Sequence, residues 1–288
     1  MKVARDPAEL GAAERAVAIG SFDGVHLGHR RILDAARAAG LRSTVVTFWP
    51  HPRTVLGNRV ELLSTLDRRL ELLAEAAVEE TLVVEFTPAL ARLDARAFAD
   101  SLLRRIGTRV IAVGKNFRFG RDAAGDPPLL QELGFDVRIV PVVEGVSSSR
   151  IRRCLRAGEP GSAARLLGRP AEIEGLVVLG DQRGGTLGYP TANLDVPADL
   201  LVPAYGIYAG AALGHRAAVS IGVNPHYGGT ERRIEPYLLD FDGDLYGRRL
   251  VVELWQRLRD ERAFASEEEL VAQIARDVDQ TRATVRPG

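Results

Sequence analysis

Two histidines stand three residues apart in the stretch GSFDGVHLGH (residues 20–29), directly after an apolar run. If a helix begins here, His26 and His29 project from one side of its first turn. A helix N-terminus offers free backbone N–H groups to a phosphate, and imidazoles can stabilise charge in a phosphoryl or nucleotidyl transition state. The pattern favours a nucleotide site. A metal pair with Asp23 as third ligand, or one surface and one core histidine, are the alternatives.

The glycines of this stretch are compatible with a phosphate ligand. Gly20 and Gly24 let the backbone turn tightly and approach a ligand closely. The familiar phosphate loops are missing, because the sequence has no G-x-x-x-x-G-K-[ST] and no G-x-G-x-x-G after a strand. A P-loop kinase and a dinucleotide-dependent dehydrogenase are therefore disfavoured.

Three further polar clusters follow predicted strands. They are TFWPHP (47–52), GKNFRFG (114–120) and VSSSRIR (146–152). Their amide, hydroxyl and guanidinium groups suit a nucleobase, a ribose and a polyphosphate. Any one of them is compatible with an ordinary loop, but their recurrence at the carboxyl ends of strands predicts a shared cleft.

A second glycine-rich stretch, GDQRGGTLGYPTANL (180–194), lies in the other half of the chain. It is compatible with a phosphate loop and also with a glycine-rich hairpin that ends in an Asn-stabilised turn. Thr191 and Asn193 supply neutral oxygens two residues apart. Such ligands suit Mg²⁺, which takes most of its charge compensation from substrate phosphates.

One acid stands out downstream, within RRIEPYLLDF. Glu235 is flanked by strand-forming residues and either faces solvent or faces the glycine-rich loop. In the second case its carboxylate could remove the proton from an alcohol that attacks ATP.

The elements that must position these groups differ between the two halves. The first half alternates strands and helices, and its strands are apolar on both faces, which predicts a parallel sheet covered by helices. The second half has strands without intervening helices, which predicts an antiparallel sandwich or small barrel, and one terminal helix capped by Ser266. The predicted strands cover 16–22, 43–49, 81–86, 109–114, 136–143, 207–213, 216–222, 233–241 and 249–255, and the predicted helices include 26–40 and 95–107.

Composition limits the remaining possibilities. The formal net charge is zero, so no overall field favours nucleic acid or an anionic membrane. Cys154 is the single cysteine, which suits a reducing cytoplasm, and no apolar run approaches the roughly 20 residues that span a bilayer. We expect a cytoplasmic protein that binds neither membranes nor nucleic acid.

The motifs of the first half resemble a known family. GSFDGVHLGH resembles the H-x-G-H nucleotidyltransferase signature in the form carried by bacterial bifunctional riboflavin kinase/FAD synthetases, and GKNFRFG, SSSRIR and LLGRP follow in the family's order. The resemblance implies a Rossmann-like α/β nucleotidyltransferase domain over residues 1–168. It would transfer AMP from ATP to FMN, giving FAD and pyrophosphate.

The same resemblance implies roles for individual residues. His26 and His29 would contact the ATP phosphates and act in catalysis. The other ATP and FMN contacts of this domain would come from Gly20, Phe22, Asp23, Asn116, Ser147, Ser148 and Arg152.

The second half resembles the riboflavin kinase module, through RGGTLGYPTANL, GIYAG, TERRIEPYLLDFDGDLYG and LRDERAF. The resemblance implies an antiparallel six-stranded β-barrel with a C-terminal helix over residues 169–288. Thr191 and Asn193 would bind Mg²⁺–ATP, Glu235 would act as base on the riboflavin 5′-hydroxyl, and the phosphate loop would include Gly180, Arg183 and Gly184. Two residues depart from the family's pattern, Gly185 in place of a basic residue and His226 in place of threonine.

We therefore expect a bifunctional FAD-forming enzyme that uses riboflavin, ATP, Mg²⁺ and FMN and is a monomer or weak homo-oligomer. One alternative is a different H-x-G-H nucleotidyltransferase, such as a pantetheine-phosphate adenylyltransferase or a cytidylyltransferase with an accessory β domain. A non-enzymatic flavin-binding sensor or storage module is the other.

Overall fold

The computed structural model describes residues 1–180, 187–223 and 232–288. Contacts within the chain define two compact units, Met1–Val146 and Ser147–Gly288. Each unit is built around its own six-stranded sheet.

The first unit contains a six-stranded parallel sheet in the order β1-β4-β3-β2-β5-β6. Because β2 lies in the middle, the carboxyl ends of β3 and β5 flank its own carboxyl end. The strands are β1 (Lys2–Ala4), β2 (Arg15–Ile19), β3 (Arg42–Trp49), β4 (Glu80–Glu85), β5 (Thr108–Gly114) and β6 (Asp136–Val140).

Helices cover both faces of this sheet, because its central strands are apolar on both sides. Ala16 and Ala18 of β2 belong to one hydrophobic cluster, whereas Val17 and Ile19 belong to the other. This alternation is the two-residue period of a strand. The helices are α1 (Leu27–Arg37), α2 (Pro52–Val55), α3 (Leu66–Glu75), α4 (Pro88–Ala91), α5 (Ala95–Phe98, continued by a π-helical turn, Ala99–Arg104) and α6 (Pro127–Glu132).

The second unit contains a six-stranded antiparallel sheet in the order β11-β10-β9-β12-β7-β8. The first and last strands of this order approach each other, since the amide of Ala192, just before β8, donates to the Pro236 carbonyl of β11 at 3.0 Å, and the sheet forms a nearly closed barrel. The strands are β7 (Ala171–Val178), β8 (Asn193–Asp195), β9 (Gly206–Ala212), β10 (His215–Val223), β11 (Arg232–Leu238) and β12 (Arg249–Arg259).

Three helices accompany the barrel in the described residues: α7 (Ser148–Arg156), α8 (Pro160–Leu167) and α9 (Glu267–Ala283). Ser266 caps α9 as predicted, accepting the Glu269 amide at 3.2 Å. A buried ion pair fastens α9 to the barrel, because the Arg259 guanidinium of β12 lies 2.7 Å from the Asp277 carboxylate.

The predicted fold class is confirmed in both halves, a parallel α/β sheet followed by an antiparallel barrel with a terminal helix. Three strands lie outside the predicted ranges: β7, and the short strands β1 and β8, whose three residues are too few to show an alternation. The predicted helix over 95–107 is interrupted by a π-helical turn. The two units divide at Val146/Ser147, so α7 and α8 group with the barrel.

Candidate active sites

The turn that follows β2 has an unusual backbone. Phe22 and Val25 adopt positive φ values of 47° and 39°, which residues with a Cβ rarely take, and Gly24 between them has φ of 78°. Burial compensates for this strain, since Phe22 and Val25 are 1% and 0% exposed. The turn is therefore held in one conformation by the packing of its apolar side chains.

The two histidines are brought together at the start of α1, as the spacing predicted. His26 is the N-cap, and its Nδ1 accepts the His29 amide at 3.2 Å. The two rings stack with centroids 3.6 Å apart and planes 13° apart. Because Nδ1 of His26 is an acceptor, the neutral ring carries its proton on Nε2 and can donate there.

The glycine between the histidines is explained by the same geometry. A Cβ on Gly28 would lie 3.2 Å from both Cε1 and Nδ1 of His26, closer than side chains normally approach. A side chain at the third position of H-x-G-H would therefore press against the first imidazole where that ring folds back over the helix start.

His29 is held in its neutral form. Burial of the ring lowers its pKa well below 6.5, and the charges of His26 and Arg69 lower it further. Its Nδ1 is buried with no hydrogen-bond partner among the residues described. At neutral pH the His29 ring is thus uncharged and carries one N–H donor and one ring acceptor.

Asp23 is bonded to the segment that precedes α3. Its buried carboxylate accepts the amides of Leu63 at 2.9 Å and Ser64 at 3.3 Å, and it lies 3.7 Å from the Arg69 guanidinium. The structure therefore places Asp23 as a link between the turn and the segment before α3. In the described part of the chain, no cluster of three or more His, Cys, Asp or Glu residues is arranged to hold a metal ion.

The remaining predicted contacts of the first half lie in different surroundings. The Gly20 amide donates to the Val46 carbonyl at 3.1 Å, which keeps the backbone close to β3. Asn116 is exposed in the turn after β5. Ser147, Ser148 and Arg152 belong to the second unit, where Ser147 caps α7 by accepting the Arg150 amide at 3.2 Å.

Sequence reasoning missed the buried cation beneath this site. Arg69 is 0% exposed and lies on the apolar face of α3 beside Leu66, Leu72 and Leu73. Its guanidinium carbon is 5.6 Å from the centre of the Trp49 ring. An arginine at helical spacing within a leucine stripe is the signal that could have identified it.

A cavity of about 350 Å³ in the second unit brings Thr191 and Glu235 to one site. Its walls are largely apolar and aromatic, including Tyr189 and Tyr237, whose rings meet edge to face at 5.4 Å. The apolar lining also includes Leu187, Ile207, Ala218, Phe264, Leu270 and Ile274, and the polar groups include Ser220, Arg259, Glu261, Arg262 and Asp277. A flat aromatic ligand with a polar tail suits such a lining.

Glu235 lies on β11 opposite Ser220 of β10. Its carboxylate is 3.9 Å from the Arg233 guanidinium, which stands two residues earlier on the same face of the strand. The carboxylate is 30% exposed, so it is reachable by a molecule in the cavity. Arg233 was not predicted, although the i, i+2 spacing is visible in the sequence.

Asn193 lines a different cavity, of about 650 Å³, together with Gly180 and Arg233. A Cβ on Gly180 would lie 2.1 Å from the Asn193 amide nitrogen, so this glycine makes room for the Asn193 side chain. The predicted loop residues Arg183 and Gly184, and the two departures Gly185 and His226, lie outside the described residues.

Comparison with known proteins gives the same division of the chain. The FAD synthetase family model matches residues 10–152, and the riboflavin kinase family model matches residues 167–285. A bifunctional riboflavin kinase/FMN adenylyltransferase from Listeria monocytogenes is 35% identical over 290 positions, covering 93% of this chain and 92% of the relative. The protein of that description from Escherichia coli K12 is 38% identical over 279 positions, covering 90% and 89%.

A solved structure described as a macrolide-efflux protein from Streptococcus pneumoniae has a TM-score of 0.88 and 31% identity, covering 98% of this chain and 99% of that one. No helix in the ranges described here is long and apolar enough to cross a membrane. The matches over nine-tenths of both chains, together with the two family models, show that this chain belongs to the bifunctional riboflavin kinase/FMN adenylyltransferase family.

Proposed function

We propose that this chain makes FAD from riboflavin in two ATP-dependent steps, phosphorylation by residues 169–288 and transfer of AMP to FMN by residues 1–168. The observation that carries the proposal is that one chain holds both a stacked histidine pair at the carboxyl edge of a parallel sheet and a glutamate-lined apolar cavity in a barrel. Membership of the bifunctional family supports both steps.

In the AMP transfer, an FMN phosphate oxygen attacks the α-phosphorus of ATP and pyrophosphate leaves. His26 and His29 donate hydrogen bonds to phosphate oxygens as negative charge develops on them. Gly20 and Phe22 shape the turn around the nucleotide, and Asn116 holds substrate. The second phosphate-binding turn consists of Ser147, Ser148 and Arg152. Asp23 supports the nucleotide site by linking the turn after β2 to the segment before α3.

In the kinase step, the riboflavin 5′-hydroxyl attacks the γ-phosphorus of ATP and ADP leaves. Glu235 accepts the hydroxyl proton, and its place in the wall of an apolar cavity supports this role. Gly180, Arg183 and Gly184 hold the phosphates. The hydroxyl of Thr191 and the amide oxygen of Asn193 fit Mg²⁺ in donor type, and the bound ion would neutralise charge on the transferred phosphoryl group.

The boundary between the two activities is part of the proposal. We assign residues 1–168 to AMP transfer and residues 169–288 to the kinase. Gly168, which ends α8 in the left-handed conformation with φ of 71°, supports a junction at this point. A cytoplasmic location, a monomer or weak homo-oligomer, and no binding of nucleic acid or membranes stay predictions.

The direct test is to incubate the purified chain with riboflavin and MgATP and to separate the flavins by chromatography. We expect FMN to appear first and FAD to follow, with ADP formed in the first step and pyrophosphate in the second. FMN supplied in place of riboflavin should give FAD directly.

Each alternative gives a different result in this assay. A flavin-binding sensor or storage module would retain riboflavin unchanged. Another H-x-G-H nucleotidyltransferase would leave FMN unconsumed and transfer label from ATP or CTP to a different acceptor. Either outcome would overturn the proposal.

A further inference from the structure

Glu261 is a second carboxylate in the wall of the barrel cavity, and the proposed kinase step does not use it. It stands two residues after the end of β12 and lines the same cavity of about 350 Å³ as Glu235. Covering a carboxylate with a ligand is costly unless the ligand donates a hydrogen bond to it. An acid in a largely apolar wall is therefore a candidate for recognising a donor group of the substrate.

A glycine of β10 makes room for this carboxylate. A Cβ built on Gly222 would overlap Glu261 Oε1, so the carboxylate occupies the space that a side chain at position 222 would fill. The amide of Val223, the next residue, donates a hydrogen bond to the Glu261 carboxylate. The carboxylate is thus held against β10.

Strand register places the carboxylate on the cavity face of β10. Positions 218, 220 and 222 share one face because side chains alternate along a strand, and Ala218 and Ser220 both line the cavity. Glu235 of β11 lies opposite Ser220, and two residues along a strand correspond to about 7 Å. The carboxylates of Glu235 and Glu261 therefore belong to one wall and are separated along β10 by about that distance.

The guanidinium groups of this wall are bonded to other partners. Arg259 Nη2 lies 2.7 Å from the Asp277 carboxylate, and Arg262 donates to the Gln273 side chain at 3.0 Å. An ionised carboxylate accepts about four hydrogen bonds, of which one backbone amide uses one. Because Glu261 is solvent-exposed, its other acceptor positions can be reached by a ligand in the cavity.

The donor that fits this position is a hydroxyl of the riboflavin side chain. With the 5′-hydroxyl at Glu235, the ribityl chain carries its inner hydroxyls away from that residue toward the ring. An extended ribityl chain is long enough to bring an inner hydroxyl to the second carboxylate. The imide N–H of the flavin ring lies at the far end of the molecule, beyond this distance.

We propose that Glu261 is a specificity-determining residue of the kinase site, whose carboxylate accepts a hydrogen bond from an inner hydroxyl of the ribityl chain. The proposal rests on the assignment of riboflavin phosphorylation to this cavity. Glu261 selects a flavin with a hydroxylated side chain, whereas Glu235 acts on the terminal hydroxyl.

Arg233 provides an indirect route that the test must separate from direct recognition. It stands opposite Gly222 in register, and its guanidinium lies 3.9 Å from the Glu235 carboxylate. An effect of Glu261 transmitted through Arg233 would act on the base and would be the same for every flavin with a terminal hydroxyl. Direct recognition depends on the inner hydroxyls.

The test compares riboflavin with its ω-hydroxypentyl analogue, which keeps the reacting terminal hydroxyl and lacks the inner ones. We expect Glu261→Ala to lower kcat/KM for riboflavin about 10- to 100-fold, the usual effect of losing a hydrogen bond to a charged group, and to change kcat/KM for the analogue by less than about twofold. Glu261→Gln keeps an acceptor oxygen and should give an intermediate loss. The exposed Glu267→Gln of α9 is the control and should leave both values unchanged.

Gly222→Ala tests the geometry without removing the carboxylate. The new Cβ should displace the Glu261 side chain and reproduce the selective loss with riboflavin. A circular dichroism spectrum that matches the wild-type chain would confirm that the barrel is intact. If Gly222→Ala misfolds, the two Glu261 variants decide the question.

Equal losses with the two flavins in Glu261→Ala would overturn the proposal, as would an unchanged kcat/KM for riboflavin. The Kd values of both flavins, measured by quenching of flavin fluorescence, should show the same contrast without turnover. If the wild-type chain made no FMN, the proposed function would fail, whereas the Kd values would still decide the role of Glu261. A wild-type chain that did not bind riboflavin would overturn both.

Discussion

The histidine turn of the first unit and the cavity of the second assemble their polar groups in opposite ways. In the turn, His26 and His29 come from one uninterrupted segment and stack directly on each other. In the barrel, Thr191 and Glu235 come from segments more than forty residues apart in the sequence. They are brought together because both line the same cavity.

The difference determines what each site depends on. The turn depends on local sterics, since Phe22 and Val25 hold strained φ values and Gly28 has no room for a Cβ. The barrel site depends on strand register, because a shift of β11 by one residue would move Glu235 to the opposite face of the sheet. The first unit should therefore be sensitive to its small neighbours as well as to its functional groups, whereas the second should depend mainly on single functional groups.

The largest expected effects come from removing one functional group in each unit. Glu235→Gln should lower the rate of FMN formation about 10²- to 10⁴-fold, the usual contribution of a general base, while added FMN still becomes FAD. His29→Ala should lower the rate of FAD formation from FMN, while riboflavin still becomes FMN. Chromatography of both flavins for each variant checks the pair, with the exposed Glu267→Gln of α9 as control. Loss of both reactions in either folded variant would contradict the division of roles.

The next effect concerns the stability of the first unit. Asp23→Ala leaves Arg69 without the carboxylate beside it, and breaking a buried pair costs about 3–5 kcal/mol. Urea unfolding followed through the first unit should show this loss, while FMN formation in the second unit continues. The exposed Asp34→Ala on α1 is the matched control and should change the free energy of unfolding by less than about 0.5 kcal/mol. Similar losses in the two variants would show that Asp23 is not a structural link.

A smaller effect should follow from one methyl group at Gly28. In Gly28→Ala the new Cβ displaces the His26 ring, and a misplacement on the order of 1 Å lowers rates by up to about 10²-fold. We expect the rate of FAD formation from FMN to fall by about tenfold, which is smaller than that limit. Gly161→Ala in α8 is the control, because its Cβ would meet the Trp255 carbonyl oxygen at an ordinary 3.7 Å. Equal activity of Gly28→Ala and the wild-type chain would contradict the steric account of H-x-G-H.

The smallest effect is a pH dependence of stability. His29 has a lowered pKa in the folded state and an ordinary value near 6.5 when unfolded, so the unfolded chain binds more protons below pH 6.5. The free energy of unfolding of the first unit should therefore fall as the pH drops below 6.5. His29→Gln should flatten this slope, which denaturant titrations between pH 5 and pH 7.5 would measure. If the His29→Gln variant kept the same slope, the pH dependence of the free energy of unfolding would come from other titratable groups.

The parts of the fold that were predictable are those governed by local patterns. Strands apolar on both faces indicated a covered parallel sheet, and closely spaced strands without helices indicated the barrel. The histidine pair was predictable because i, i+3 spacing places two side chains on one side of a helix turn. Its stacking geometry depends on Gly28 and on the Nδ1 bond of His26, which spacing alone does not specify.

What could not be predicted depends on contacts between distant segments. Asp23 looked like a third ligand because it lies close to the histidines in sequence, whereas its carboxylate binds the amides of Leu63 and Ser64 some forty residues away. Arg69 lies in the apolar face of α3, and its contacts with Asp23 and Trp49 come from segments that the sequence does not place beside it. Thr191 and Asn193, two residues apart, line different cavities.

The hydrogen bond that closes the barrel has a consequence for folding. Ala192, its donor, lies between Thr191 and Asn193, and Pro236, its acceptor, follows Glu235. The contact that brings the two ends of the sheet together is thus also the one that joins the segment proposed to bind Mg²⁺ to the proposed base. A folding chain in which β8 and β11 have not yet met would have no kinase site, so the first appearance of FMN during refolding would time the closure of the barrel.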